Sequence, residues 1–443
     1  MKVSQNIFVE TIEEDRFART TRMTIGDKTI QTPNFCTLVQ NNIELNSLIN
    51  LSFLSESKYL GTCVIRVYDA PKIIIPRLEN RKQTSIVNLK SVEEPFLKFS
   101  SKTLILIDPA LEYLLYEFHA KKFVDAIKNL RSTKQLDGLM QYLEERDAQK
   151  EEISEKEYEN WKKAFHKKFW YGLDRKQQDR NKFVGDYIDI EVLCGTEVIL
   201  PPVPIVDSEG MFDIARRINE FAKTIAPRTK PCATYLLFQK SLLSNDALVE
   251  KVIAYLEADP TQLTIIKIKN LDLWTSGYVR QRENYRKLMD TMYKIRRHNP
   301  QKIFMALESW YVSYASACYG FNIVSSSMNG FDRDSDYGTN TYGSWFDPEL
   351  MYYVPFDELK EKILKNTRNH VMPCYCSVCK SIKNLSDVSK DDWYRLRREH
   401  YALTMNEYMR MISKAIADRT IELAAQKLAN SQLALLQTLI PRQ

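Results

Sequence analysis

Short apolar runs recur along this chain at 35–39, 62–67, 103–107, 197–200, 233–238, 263–268, 302–306 and 321–325. Each is β-prone and apolar nearly throughout, the pattern of a strand buried on both faces of a parallel sheet. Between them, apolar residues at three- and four-residue spacing predict helices at 213–224, 245–257 and 280–298. Eight strands with room for a helical crossover between each predict an α/β fold of the (β/α)8 TIM barrel type, with an open doubly wound sheet as the alternative.

One interval breaks the rhythm. Between Asp108 and Glu197 the chain inserts a charged stretch, about 120–185, that predicts one or two exposed helices. Its first half is acidic, whereas its second half interleaves Lys162, Lys163, Lys167 and Lys168 with Trp161, Phe165, Phe169 and Trp170. Aromatic residues among lysines can stack bases and meet phosphates, which makes Lys162, Lys163, Lys167, Lys168 and Trp170 candidates for nucleic-acid or partner contact. The same pattern also suits a solvated helix that packs its aromatic stripe on the barrel. Helices are expected again over 402–439, where the apolar close A-A-Q-K-L-A-N-S-Q-L-A-L-L-Q-T-L-I is either an oligomer surface or an internal packing face.

The 443 residues, 44% of them hydrophobic, suffice for a large core, and 63 basic against 57 acidic residues leave a mild net charge of +6. That balance does not by itself indicate a nucleic-acid binder. No apolar run approaches the roughly 20 residues of a membrane span, and no signal-peptide core opens the chain. Cys36, Cys63, Cys194, Cys232 and Cys318 are scattered singly among apolar residues, which suits a reducing, cytoplasmic compartment rather than a disulfide framework.

The other three cysteines are not scattered. Cys374, Cys376 and Cys379 fall within C-Y-C-S-V-C, and His400 follows in R-R-E-H-Y-A-L-T. Three thiolates and one imidazole make a closed, tetrahedral Cys3His zinc set, a structural type with no open coordination position. Lys380, Arg395, Arg397 and Arg398 would offset the surplus negative charge; a disulfide pair is the weaker alternative. The expected division is a barrel over 1–370 and a zinc-binding subdomain with C-terminal helices over 371–443.

A barrel followed by C-x-C-x-x-C and a helix-borne histidine resembles the tRNA-guanine transglycosylase family, the queuine/archaeosine tRNA-ribosyltransferases, which exchange guanine in nucleic acid for a 7-deazaguanine base. Thr32, Pro33 and Phe35 are similar to that family's T-P-x-F first strand. In L-I-L-I-D-P-A-L-E-Y, Asp108 stands where the family has D-S-G-G-[FY]-Q. The resemblance implies that Asp108 contacts the base or acts as general acid/base, and that Tyr113 supplies the stacking ring. A carboxylate at the C-terminal end of a barrel strand suits chemistry at that face, and Asp108 ahead of Pro109 also suits a helix N-cap. Gln239 in Y-L-L-F-Q-K and Met305 in I-F-M-A-L match further base-contacting positions, while Lys269 and Asn270 replace the family's glycine pair.

Two departures concern the chemistry. The family's guanine-reading aspartate in the fourth strand is Pro202 or Val203 here, with Asp207 a few residues on. Its nucleophilic aspartate in the eighth strand is Ser325, which lacks the negative charge that attack at the ribose requires. A shifted register would recruit Asp332 instead. Asp332, Asp334 and Asp336 also resemble a calcium loop, but without a glutamate at the twelfth position they read as a polar loop.

These departures resemble the divergent, defence-associated bacterial relatives of the family, found in antiviral gene clusters beside a 7-deazaguanine synthetase and a cyclic-nucleotide signalling enzyme. The resemblance then implies a catalytically degenerate module that recognises a 7-deazaguanine base, free or on a partner protein or nucleic acid, and forms the family's homodimer. The alternatives are an active base-exchange enzyme on DNA or tRNA with Asp332 as nucleophile and Asp108 as acid/base, or a zinc-stabilised scaffold.

Overall fold

The computed structural model describes residues 7–16, 18–55, 57–67, 69–74, 93–111, 155–269, 279–307, 316–318, 320–327, 344–348, 352–355, 359, 372, 374, 376–383 and 388–424. The chain opens with an antiparallel meander of β1 (Ile7–Asp15), β2 (Ala18–Ile25) and β3 (Lys28–Thr32). Gly26, at φ +61°, makes the tight turn between β2 and β3, a left-handed conformation that costs glycine nothing.

The apolar runs then form parallel strands: β4 (Asn34–Val39), β5 (Thr62–Arg66), β6 (Leu104–Asp108), β7 (Ile205–Val206), β8 (Thr234–Gln239), β9 (Leu263–Lys269), β10 (Ile303–Leu307) and β11 (Ile323–Ser327). Their order across the sheet is β6-β5-β4-β11-β10-β9-β8-β7. The first strand, β4, thus pairs with both the second and the eighth, the neighbour relationship of a curled barrel wall.

The wall is nevertheless an open curled sheet and not the closed barrel expected. β6 and β7 end the sheet, and no ladder joins them among the described residues. The run at 197–200, expected as the fourth strand, supplies only the bridge between Ile199 and Cys232, and the ladder with β8 forms further on, at Ile205–Val206. Pro201, Pro202 and Pro204 explain the shift, because each lacks the N–H that a ladder needs.

Glu197 spans the seam. Its backbone N–H donates to Ile105 O at 3.2 Å, and its carboxylate accepts from Ile105 N at 2.8 Å and from Lys28 Nζ. Lys28 Nζ also donates to Thr103 O at 3.0 Å, so the meander is pinned to the seam as well.

The expected helices appear as Glu209–Ile225, Asp246–Ala258 and Val279–His298. Asn245 caps the second, accepting from Leu248 N at 3.1 Å. The insertion contributes Glu155–Arg175 and Gln177–Leu193. A 28-residue helix, Lys390–Ala417, is capped by Ser389, which accepts from Asp392 N at 3.1 Å.

That long helix packs on the first strands rather than standing apart. Asn406 Oδ1 accepts from Tyr59 N at 2.8 Å, Tyr401 meets Phe35 edge to face, and the Tyr401 hydroxyl donates to Ser326 Oγ at 3.3 Å. Beyond its end, Ile421 N donates to Asp15 Oδ2 at 3.0 Å. Among the described residues, no helix is long and apolar enough to cross a membrane. From residue 425 onward, the apolar close of the chain lies outside the described residues.

Candidate functional site

Cys374, Cys376, Cys379 and His400 converge, with all four ligand atoms within 4.8 Å of one another, so the cluster could hold a metal ion. The five-residue helix Ser377–Ser381 brings Cys376 and Cys379 round to one side, and the long helix delivers His400 from the other. His400 Nδ1 lies 3.4 Å from both Cys376 Sγ and Cys379 Sγ.

The surroundings fit the donor set to a metal. Phe346 O, in β12 (Ser344–Asp347), lies 2.7 Å from His400 Nε2, which places a proton on Nε2 and leaves the Nδ1 lone pair facing the thiols. Backbone amides of Cys376 and Cys379 donate to the sulfurs of Cys374 and Cys376, each at 3.4 Å, which stabilises thiolate charge. Trp345 stacks on the imidazole at 4.2 Å between ring centroids, and Trp393 stacks on Trp345, so the ring is fixed before any ion arrives.

A second polar centre lies at the carboxyl ends of the parallel strands. Asp108, the last residue of β6, is only 1% exposed. Its Oδ1 accepts from Tyr235 Oη at 2.9 Å and from Ala110 N at 3.1 Å, while Lys267 Nζ donates to Oδ2 at 3.1 Å. Three strands therefore contribute: Asp108 from β6, Tyr235 from β8 and Lys267 from β9. Ala110 adopts φ +45°, uncommon for a residue with a Cβ, and the bond from its N–H to Asp108 helps to hold that turn.

Glu191, fully buried on Gln177–Leu193, stands close enough to feel Asp108. Burial raises its carboxyl well above the ordinary value, a hydrogen bond from Leu200 N opposes this, and the charge of Asp108 adds to it. Oε2 accepts that bond at 3.0 Å, and Oε1 has no hydrogen-bond partner among the described residues.

Gln239 and Lys269 are register partners at the ends of β8 and β9, both half-buried. With side chains alternating along a strand, Lys269 shares the face of Lys267, and Gln239 that of Tyr235. The structure thus brings Asp108, Gln239 and Lys269 to one end of the sheet. Met305 is fully buried in mid-strand, paired in register with Ile265 and Ile323. Ser325 is buried on β11 opposite Cys36, on the pleat opposite to Ser326, which faces Tyr401. Val203 is buried, and Asp207 is engaged elsewhere, with Lys167 Nζ at 3.4 Å. Tyr113, Asn270 and Asp332 lie outside the described residues, as do the side chains of Lys162 and Lys163.

The insertion covers this end of the wall. His166, 1% exposed, is pushed down to about 3 by burial, against the charge of Asp207 and helped by Lys167 and Lys269. Trp170, a candidate for nucleic-acid or partner contact, is fully buried, edge to face with Phe169, Phe183 and His166. Its apolar surface drives it into the core, and the packing alternative describes it. Lys168 remains exposed on the same helix.

Lys267, Tyr235 and Glu191 were missed in the sequence. Lys267 had a signal: a lysine at an inward position of I-I-K-I-K needs a buried anionic partner, and Asp108 is the carboxylate ending another strand. No protein-family model matches the sequence, and no curated protein matches it.

Proposed function

We propose that this chain is a zinc-stabilised, transglycosylase-like α/β protein that recognises a 7-deazaguanine base rather than exchanging one. The observation that carries this reading is the state of Asp108, whose two carboxylate oxygens are occupied by Lys267, Tyr235 and Ala110 N in a buried setting. A carboxylate held this way is committed to its partners, since drawing it away would leave Lys267 as an uncompensated buried charge. Ser325, buried and uncharged, stands where the resemblance puts the nucleophile, and it does not supply the anion that glycosyl transfer needs.

Recognition requires less. Gln239 offers an amide donor and acceptor suited to a base edge, and Lys269 beside it offers a cation, both half-open at the strand ends. Zn²⁺ held by Cys374, Cys376, Cys379 and His400 would be structural: with four protein ligands it leaves no site for substrate, and it would fasten the long helix and the Phe346 strand to the cysteine turn.

The test is calorimetric titration of the whole protein with 7-cyano-7-deazaguanine. The reading expects saturable binding that Gln239→Ala weakens about tenfold, the loss of roughly one hydrogen bond to a buried base. No binding, or binding indifferent to Gln239 and Lys269, would overturn it.

A further inference from the structure

We propose that a basic groove at the amino-terminal end of the strands, opposite Asp108, binds the phosphates of a nucleotide. The groove has a volume of about 340 Å³ and runs between β3, the turn after the Asn42–Ser52 helix and the end of the Glu93–Ser100 helix. Arg22, Lys58, Lys98 and Lys102 line it together with Gln31 and Phe53, and among the described residues no acidic side chain does.

Several cations elsewhere on the surface have partners. Lys251 meets Glu209, Arg280 meets Asp246 and Lys287 meets Glu250. In the groove only Arg22 is paired, with Glu10 at 2.9 Å; among the described residues no carboxylate lies within ion-pair distance of Lys58, Lys98 or Lys102. Lys98 sits in the last turn of its helix, where a cation complements the helix dipole, and this accounts for one of the four charges. The convergence of the rest on one concavity is what an anionic ligand would require.

Phe53 selects among anions. Its ring is 44% exposed at the rim of the groove, with Lys98 Nζ 5.2 Å from its centroid. An exposed aromatic face beside lysines that no described carboxylate reaches matches a ligand with a flat base attached to phosphate: the base stacks and the phosphates reach the ammonium groups. A free nucleotide and a single-stranded oligonucleotide share that chemistry. The site is independent of the base-recognition reading, since none of its residues belongs to the Asp108 end.

The experiment is fluorescence anisotropy of the full chain with fluorescein-labelled hexathymidylate, with unlabelled ATP as competitor. Lys98→Gln with Lys102→Gln is compared with Lys251→Gln with Lys287→Gln, an equal charge change on another face. The groove variant should bind about tenfold more weakly, with the salt slope reduced by roughly 1.4 for two lost phosphate contacts, and the control variant by less than about twofold. Phe53→Ala should weaken binding by about tenfold without changing the slope. Displacement by ATP identifies a free nucleotide as the ligand; displacement by unlabelled hexathymidylate alone identifies a strand. Equal weakening in the groove and control variants, or no binding of either probe at low salt, would overturn the proposal.

Discussion

Lys267 Nζ lies 3.1 Å from Asp108 Oδ2, with both side chains withdrawn from solvent. The two residues are 159 positions apart and come from strands that are not neighbours in the sheet order. Their contact therefore depends on the curl of the wall, which carries β6 and β9 towards each other across the interior. Inside such a wall an ion pair is held less by its own attraction than by the cost of leaving either charge alone.

Removing one partner should show that cost. Lys267→Met is expected to destabilise the protein by about 3–5 kcal/mol, whereas the double change Asp108→Leu with Lys267→Met should recover most of the loss. Urea unfolding checks both, and a single-variant loss below about 1 kcal/mol would show that the charge is not buried as described.

The seam makes its own prediction. Glu197 alone satisfies Ile105 N through its side chain and also neutralises Lys28. Glu197→Ala should cost about 3 kcal/mol, and Glu197→Gln less, because the amide oxygen can still accept from Ile105 N. Equal losses for the two would indicate that charge, and not the hydrogen bond across the seam, is what matters.

Metal loss should unfold the C-terminal region first. The account expects about one zinc ion per chain by elemental analysis, and a melting temperature more than about 5 °C lower after chelation or in Cys379→Ser. A protein that carries no zinc and melts identically with chelator would contradict the assignment.

Asp186 gives a pH signature. Burial raises its carboxyl from 3.8 to about 6, with Lys182 opposing and Asp189 adding, and Oδ2 has no hydrogen-bond partner among the described residues. A carboxyl raised in the folded state contributes stability that is complete below its unfolded value and is lost as pH rises through the folded one. Asp186→Asn should therefore be more stable than the unaltered protein by about 1–2 kcal/mol at about pH 8, with the advantage gone at about pH 4. An advantage unchanged across that range would exclude titration of Asp186 as its source.

Much of the wall was legible because parallel strands advertise themselves as continuous apolar runs; seven of the eight fell within a residue or two of their positions. The fourth did not, because V-I-L is apolar enough for a strand while the prolines after it remove the ladder donors, and apolarity was the stronger signal. The Cys3His cluster was legible because its chemistry is written in spacing. The Asp108 centre was half legible: the carboxylate could be placed at a strand end, but its partners Lys267 and Tyr235 lie far along the chain and meet it only through the curl of the sheet. Trp170 shows the limit of composition, since lysine-aromatic interleaving looks the same whether the rings face a ligand or, as here, Phe169 and Phe183.

The most direct test of recognition without exchange is incorporation of labelled guanine into tRNA and into duplex DNA by the purified, zinc-loaded protein. The account predicts no incorporation into either, in the unaltered protein and in Ser325→Asp alike, because Asp108 stays locked by Lys267. Incorporation by the unaltered protein, abolished in Asp332→Ala, would establish an active transglycosylase with a relocated nucleophile and contradict the account.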